Sequence, residues 1–199
     1  FQQAPDEFAL NMDMPENLIP YLHRGNPLGL PTWLSRFDFV LDTQGQLRMV
    51  EINADTPCFL IESYYANEVG ARYFDKEHPN AGTRDELERF LKRVYERTSQ
   101  ENSKYNTIKR GGANPFVFAC FHDYLEDLGT TKFLMNTMKS ACPEADVRFL
   151  SFYDMVIDDE GILLPDGSHA SNLYRLHPME LLIDETTATG EPLGEMFCK

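Results

Sequence analysis

The sequence lacks any apolar run approaching the ~20 residues needed to cross a bilayer, and no lysine-led apolar leader opens it. Both absences argue against a membrane partner or a visible secretory precursor. Positive charge is scarce: Lys+Arg number 18 against 32 Asp+Glu, a formal charge of -14. Such a surface repels phosphate backbones, which excludes general nucleic-acid binding and leaves a cationic partner, a metal ion or a polyamine, electrostatically easier. Cysteine is sparse too. Cys58, Cys120, Cys142 and Cys198 are scattered, with no C-x-x-C pair and no histidine at zinc-ligand spacing, which argues against a disulfide framework and a structural zinc. No N-x-S/T glycosylation site occurs. Together these features fit a reducing cytoplasm.

What is present is an ordinary globular composition, 42% apolar and 25% charged over 199 residues. That length suits one large domain or two small lobes. Residues 1–31 are broken by Pro5, Pro15, Pro20, Pro27 and Pro31 and read as irregular, with one short helix near 15–23. Residues 33–54 read as a β-hairpin: two stretches rich in aromatic and β-branched residues flank the polar turn Asp42-Thr43-Gln44-Gly45-Gln46. Thr83–Gln100 is the clearest helix. Leu87, Phe90, Leu91, Val94 and Tyr95 form one apolar stripe, and Thr83 with Glu86 spells a capping box. A polar tail ending in Gly111-Gly112 predicts a boundary between two lobes, 1–110 and 111–199. Lys109-Arg110 before those glycines does not make a P-loop. Beyond it, the apolar run 115–121, a helix over 130–142 and a strand over 147–152 predict a right-handed βαβ unit with a parallel sheet. A hairpin over 157–164, a short strand at 173–176 and a helix starting near Pro178 follow, so the fold class is α/β.

The chemistry concentrates in Arg36-Phe37-Asp38 and in Glu51-Ile52-Asn53-Ala54-Asp55-Thr56-Pro57. A hairpin turning about Gln44-Gly45 sets Asp38 opposite Glu51 and Arg36 opposite Asn53, with all four on one face. Directly opposed residues have Cβ atoms about 5 Å apart. Two carboxylates and an amide oxygen suit a hard cation such as magnesium, and an arginine beside it suits a phosphate or an oxyanion. Phe37, Phe39 and Ile52 are expected to pack behind, while Met49 shares parity with Glu51 and falls out of phase. The same spacing also fits a solvated hairpin face on which Arg36 simply pairs with a carboxylate.

Arg-x-Asp followed, thirteen residues after the aspartate, by Glu-x-Asn resembles the magnesium-binding end of ATP-grasp ligases. The string RFDFVLDTQGQLRMVEINADTP is similar to the glutathionylspermidine synthase family, as is NLYRLHPMELLIDE at 172–185. That resemblance implies an ATP-grasp-type metal-binding hairpin lobe joined to a Rossmann-like pre-ATP-grasp lobe. It implies a carboxylate–amine ligase that forms an amide through an acyl phosphate, with ATP and magnesium, a small peptide or thiol-peptide as acid, and a polyamine or other amine. By position, Asp38, Glu51 and Asn53 would hold magnesium against the nucleotide phosphates and Arg36 would stabilise the acyl phosphate and tetrahedral intermediate. Thr56 and Cys58 fall where the family places small polar residues near the acid substrate, Cys58 departing from the usual hydroxyl.

The lysine-bearing, glycine-rich elements that cover ATP in this family are not legible in the sequence. With Phe1 at one end and Cys198-Lys199 at the other, the chain reads as an amino-terminal portion, inactive alone. A non-catalytic binding or scaffold module that kept the fold is the alternative, and a metal-dependent hydrolase a third reading. His122-Asp123 read as a loop or helix start, or as a functional pair at the carboxyl end of the 115–121 strand, and His177 reads as a turn former or a general base. Glu180 reads as a solvated helix-start carboxylate or a substrate contact, and Asp55 as a cap for a helix over 57–65 or as a ligand-binding residue.

Overall fold

The structure, a computed structural model, describes residues 6–22, 32–105 and 115–197. The expected lobe boundary at 110/111, with Gly111-Gly112, lies outside the described residues. Short helical pieces open the chain: α1 (Asp6–Leu10), a 3-10 turn (Glu16–Leu18) and α2 (Ile19–Leu22). The hairpin follows as β1 (Arg36–Leu41) and β2 (Leu47–Asn53). A π-helical stretch (Glu62–Ala66) runs into α3 (Asn67–Tyr73), and α4 (Thr83–Tyr105) is the long helix. Then come β3 (Phe116–Cys120), α5 (Leu125–Ala141) and β4 (Val147–Ser151). The small hairpin β5 (Val156–Asp158) and β6 (Gly161–Leu163), β7 (Asn172–Arg175), α6 (Met179–Leu182) and α7 (Leu193–Phe197) complete the described chain. The mixed helix and strand content is that of an α/β protein.

The centre is a three-stranded parallel sheet in the order β4-β3-β7. Every residue of β3 is buried, as its unbroken apolar run requires of a strand covered on both faces. Alternate side chains serve two cores. Phe116 and Phe118 pack with Leu87, Leu91 and Val94 of α4 and Leu134 and Met138 of α5. Val117, Ala119 and Phe121 pack with Leu150, Phe152, Leu182 and Leu193 on the other face. The first core thus takes residues from both sides of position 110, and Trp33 and Leu34, just before β1, pack against it. Trp33 meets Phe116 with ring centroids 6.0 Å apart.

Two helix starts differ from expectation. Thr83 does not close a capping box: its hydroxyl donates to the Asn80 carbonyl at 2.5 Å, and Glu86 pairs with Arg89. Helix α5 begins at Leu125, ahead of the expected 130. Glu126 and Asp127 in the first turn favour that start electrostatically, while Thr130 and Thr131, weak helix formers, are buried inside the helix.

Candidate functional site

The hairpin turn is built locally. Asp42 Oδ1 accepts the amides of Gln44 and Gln46 at 2.9 and 2.8 Å, its other oxygen accepts Arg48 Nε at 2.9 Å, and Gly45 takes φ +72°. From that turn the strands pair as Leu41 with Leu47, Val40 with Arg48 and Phe39 with Met49. The register then shifts between Asp38 and Phe39, leaving Val50 as the extra residue of a β-bulge. Past the bulge Asp38 faces Glu51, Phe37 faces Ile52 and Arg36 faces Asn53. The bulge resolves the misfit of Met49: Phe37, Phe39, Leu41, Leu47, Met49 and Ile52 share one face, and Arg36, Asp38, Glu51 and Asn53 share the other. The apolar face does not pack behind the site as expected. Phe37, Phe39, Met49 and Ile52 are each about half exposed, because no helix of the described residues covers this sheet as α4 and α5 cover β3.

On the polar face, Arg36 grips Asp38 with two hydrogen bonds, Nε to Oδ1 at 2.8 Å and Nη2 to Oδ2 at 3.0 Å. Its Nη2 also reaches Glu51 Oε1 at 3.5 Å. The guanidinium therefore bridges the two opposed carboxylates and relieves their repulsion. The hydrogen bonds from Arg36 hold the Asp38 carboxyl below its ordinary range, and the same bonds raise the pKa of Arg36. The Arg36 guanidinium lies over the Phe59 ring, its Cζ 5.6 Å from the ring centroid, and Phe59 has a left-handed φ of +76°. Asn53 stands across from Arg36, half-buried at the end of β2.

Thr56 and Cys58 lie on the stretch leaving β2. The Cys58 thiol donates to the Thr56 carbonyl at 3.7 Å. Burial pushes that thiol up, Asp127 and Glu126 add to the shift, and Arg36 opposes it. Cys58 is thus a neutral thiol, a weak donor in a hydroxyl's place. Asp127, in the first turn of α5, is itself pushed up by burial, with His177 opposing and Glu126 reinforcing. Sequence reasoning missed Asp127 and Phe59, and no local spacing signals that α5 brings its first turn toward Cys58.

Asp55 is not the cap of the segment after it. Its carboxylate pairs with Arg175 at the carboxyl end of β7, 2.6 Å from Nη2 to Oδ1, and accepts the amide of Met179 at 3.4 Å. Arg175 lies within the segment 172–185 that carries the family likeness, but nothing in the spacing joins two residues 120 positions apart. His122 Nδ1 sits 2.8 Å from Ser151 Oγ and Asp123 accepts the Tyr153 hydroxyl at 3.0 Å, tying the β3–α5 loop to the end of β4. His177 is buried against Phe121, their rings 4.9 Å apart and edge-on. Glu180 is exposed in the first turn of α6.

A family model for the glutathionylspermidine synthase preATP-grasp region matches residues 3–196. The chain belongs to that family. The match runs through both the hairpin and the parallel sheet, so the glutathionylspermidine synthase likeness covers the described chain except for Phe197. Among the described residues no group of three or more His, Cys, Asp or Glu side chains is arranged to hold a metal ion, and no helix is long and apolar enough to cross a membrane. The oxygen donors Asp38, Glu51 and Asn53 nonetheless fit a hard cation chemically: two opposed carboxylates already share one cation, the Arg36 guanidinium.

Proposed function

We propose that this chain contributes the magnesium-and-phosphate end of an ATP-dependent carboxylate–amine ligase related to glutathionylspermidine synthase. The observation that carries the reading is the bridge from Arg36 to Asp38 and Glu51 on one hairpin face, opposite Asn53, in a chain of that family. Asp38, Glu51 and Asn53 hold the magnesium, which supplies charge neutralisation at the nucleotide phosphates when bound. Arg36 stays protonated and presents its remaining N–H donors to the transferred phosphoryl group and to the developing oxyanion. Thr56 and the neutral thiol of Cys58 border the acid substrate, a small thiol-peptide such as glutathione. The amine is a polyamine such as spermidine, which the chain's acidic charge draws in.

The test uses the natural full-length protein. Calorimetry with ATP and magnesium, and phosphate release on adding glutathione and spermidine, are compared between the wild type and Glu51→Gln. Loss of magnesium-dependent ATP affinity by about tenfold or more, together with loss of turnover, supports the reading. Equal binding and turnover in both proteins overturns the metal role. Absence of magnesium-dependent ATP binding in the wild type favours a scaffold module instead.

A further inference from the structure

The two feet of the hairpin are fixed by different means. The foot before β1 is apolar: Trp33 and Leu34 pack on the core shared by α4, α5 and β3. The foot after β2 is polar. Thr32 Oγ1 lies 2.9 Å from both the Ala54 and the Leu34 carbonyls, stitching the feet to each other. Asp55 then takes the Arg175 fork, with Nη2 to Oδ1 at 2.6 Å and Nη1 to Oδ2 at 3.2 Å. Arg175 is held in turn, because its Nη1 also donates to the His177 carbonyl. A planar fork on a planar carboxylate fixes angle as well as distance. The pair is part-exposed, so its contribution to global stability is small, and what it fixes is direction.

Asp55 sits two residues after Asn53 and three before Cys58. We propose that Asp55 and Arg175 are positioning residues. Their bidentate pair orients the polar face of the hairpin against the carboxyl end of the parallel sheet, and so sets Arg36, Asp38, Glu51 and Asn53 relative to Thr56, Cys58 and Asp127. The catalytic consequence rests on the ligase reading above; the orientation does not.

The experiment has one readout for each. Amide order parameters of β1 and β2, measured on the natural full-length protein without ligand, report how rigidly that orientation is held on the ps–ns timescale. Magnesium-dependent ATP affinity reports the consequence. Asp55→Asn, Arg175→Gln and Arg175→Lys are compared with the wild type. The expected result is lowered order parameters throughout β1 and β2 in all three variants, with thermal midpoints within about 2 °C of wild type. Affinity for ATP with magnesium falls about tenfold or more in the same variants. Arg175→Lys is the sharp arm, since it keeps the charge and loses the fork. Wild-type behaviour of Arg175→Lys, or unchanged order parameters in Asp55→Asn, overturns the clamp. A drop in midpoint that tracks both readouts overturns it as well, marking ordinary structural support. Lowered order parameters in variants of a wild type that binds no magnesium and ATP uphold the clamp while the ligase reading fails.

Discussion

Phe118 and Phe39 are both phenylalanines in the middle of a β-strand, and their surroundings are opposite. Phe118 is 1% exposed, stacked on Phe116 at 5.2 Å and tilted against Tyr174 at the same distance. Phe39 is 53% exposed on a face made entirely of apolar residues. The parallel sheet has helices above and below, whereas the hairpin has its own hydrogen bonds, a built turn and two anchored feet. Apolar strand residues thus make a core only where something covers them. The hairpin, which carries the candidate chemistry, is shaped by turn, bulge and ion pairs. The sheet is shaped by burial.

The largest test of that contrast is truncation. Phe118→Ala should cost about 3–5 kcal/mol in urea unfolding, while Phe39→Ser should stay within about 0.5 kcal/mol. Comparable losses at the two positions would erase the contrast. Next come two glycines. A Cβ on Gly194 would sit 2.6 Å from the Ile183 Cα, backbone that cannot step aside, whereas Gly70 in α3 has nothing within 4 Å. Gly194→Ala should therefore lose about 1–3 kcal/mol, and Gly70→Ala should gain up to about 1 kcal/mol through helix propensity.

Acid should act on the two regions in sequence. Burial holds the His177 pKa below its ordinary 6.5 against the pull of Glu185 and Asp127. Between pH 6.5 and that lower value the unfolded chain takes up a proton that the folded protein refuses, so stability falls as pH drops through the window. His177→Gln should remove that slope from a series of urea midpoints. The hairpin cluster responds later. The Asp38 pKa is depressed below 3.8 by Arg36, so its contribution is present above that value and is lost as pH falls through the folded pKa. Carbon-detected titration of the Asp38 carboxyl would show it. An Asp38 midpoint above 3.8 would refute the Arg36 pairing in solution. Smallest of all, Asp42→Ala should speed hydrogen exchange of the Gln44 and Gln46 amides and leave the global midpoint where it was, since Asp42 serves the turn and an exposed pair with Arg48.

Much of this was legible in the chain. The turn residues and strand composition located the hairpin, and a turn about Gln44-Gly45 gave the pairings of Asp38 with Glu51 and Arg36 with Asn53, which the structure reaches through a turn that pairs Leu41 with Leu47 and a bulge at Val50. The run 115–121 announced a strand buried on both faces because no polar residue interrupts it. The bulge at Val50 was legible only as a misfit, the wrong parity of Met49, since one inserted residue leaves no composition signature. The capping box failed because the Glu86 amide, which the Thr83 oxygen would have to accept, donates to the Gly82 carbonyl at 3.3 Å instead. The apolar face of the hairpin was expected to be covered because alternation reports which residues share a face, not whether another element arrives.

The order of polar and apolar residues by itself determined the strands, the long helix, the parallel βαβ unit and the convergence of an arginine and two carboxylates across one turn, since all of these depend on neighbours within a few tens of residues. Only the tertiary structure decided that Asp55 belongs to Arg175, that the acidic first turn of α5 lies within electrostatic reach of Cys58, and that one sheet is enclosed while the other stands open. Those outcomes join positions far apart in the chain. Their energies come from burial and charge placement that no local pattern encodes.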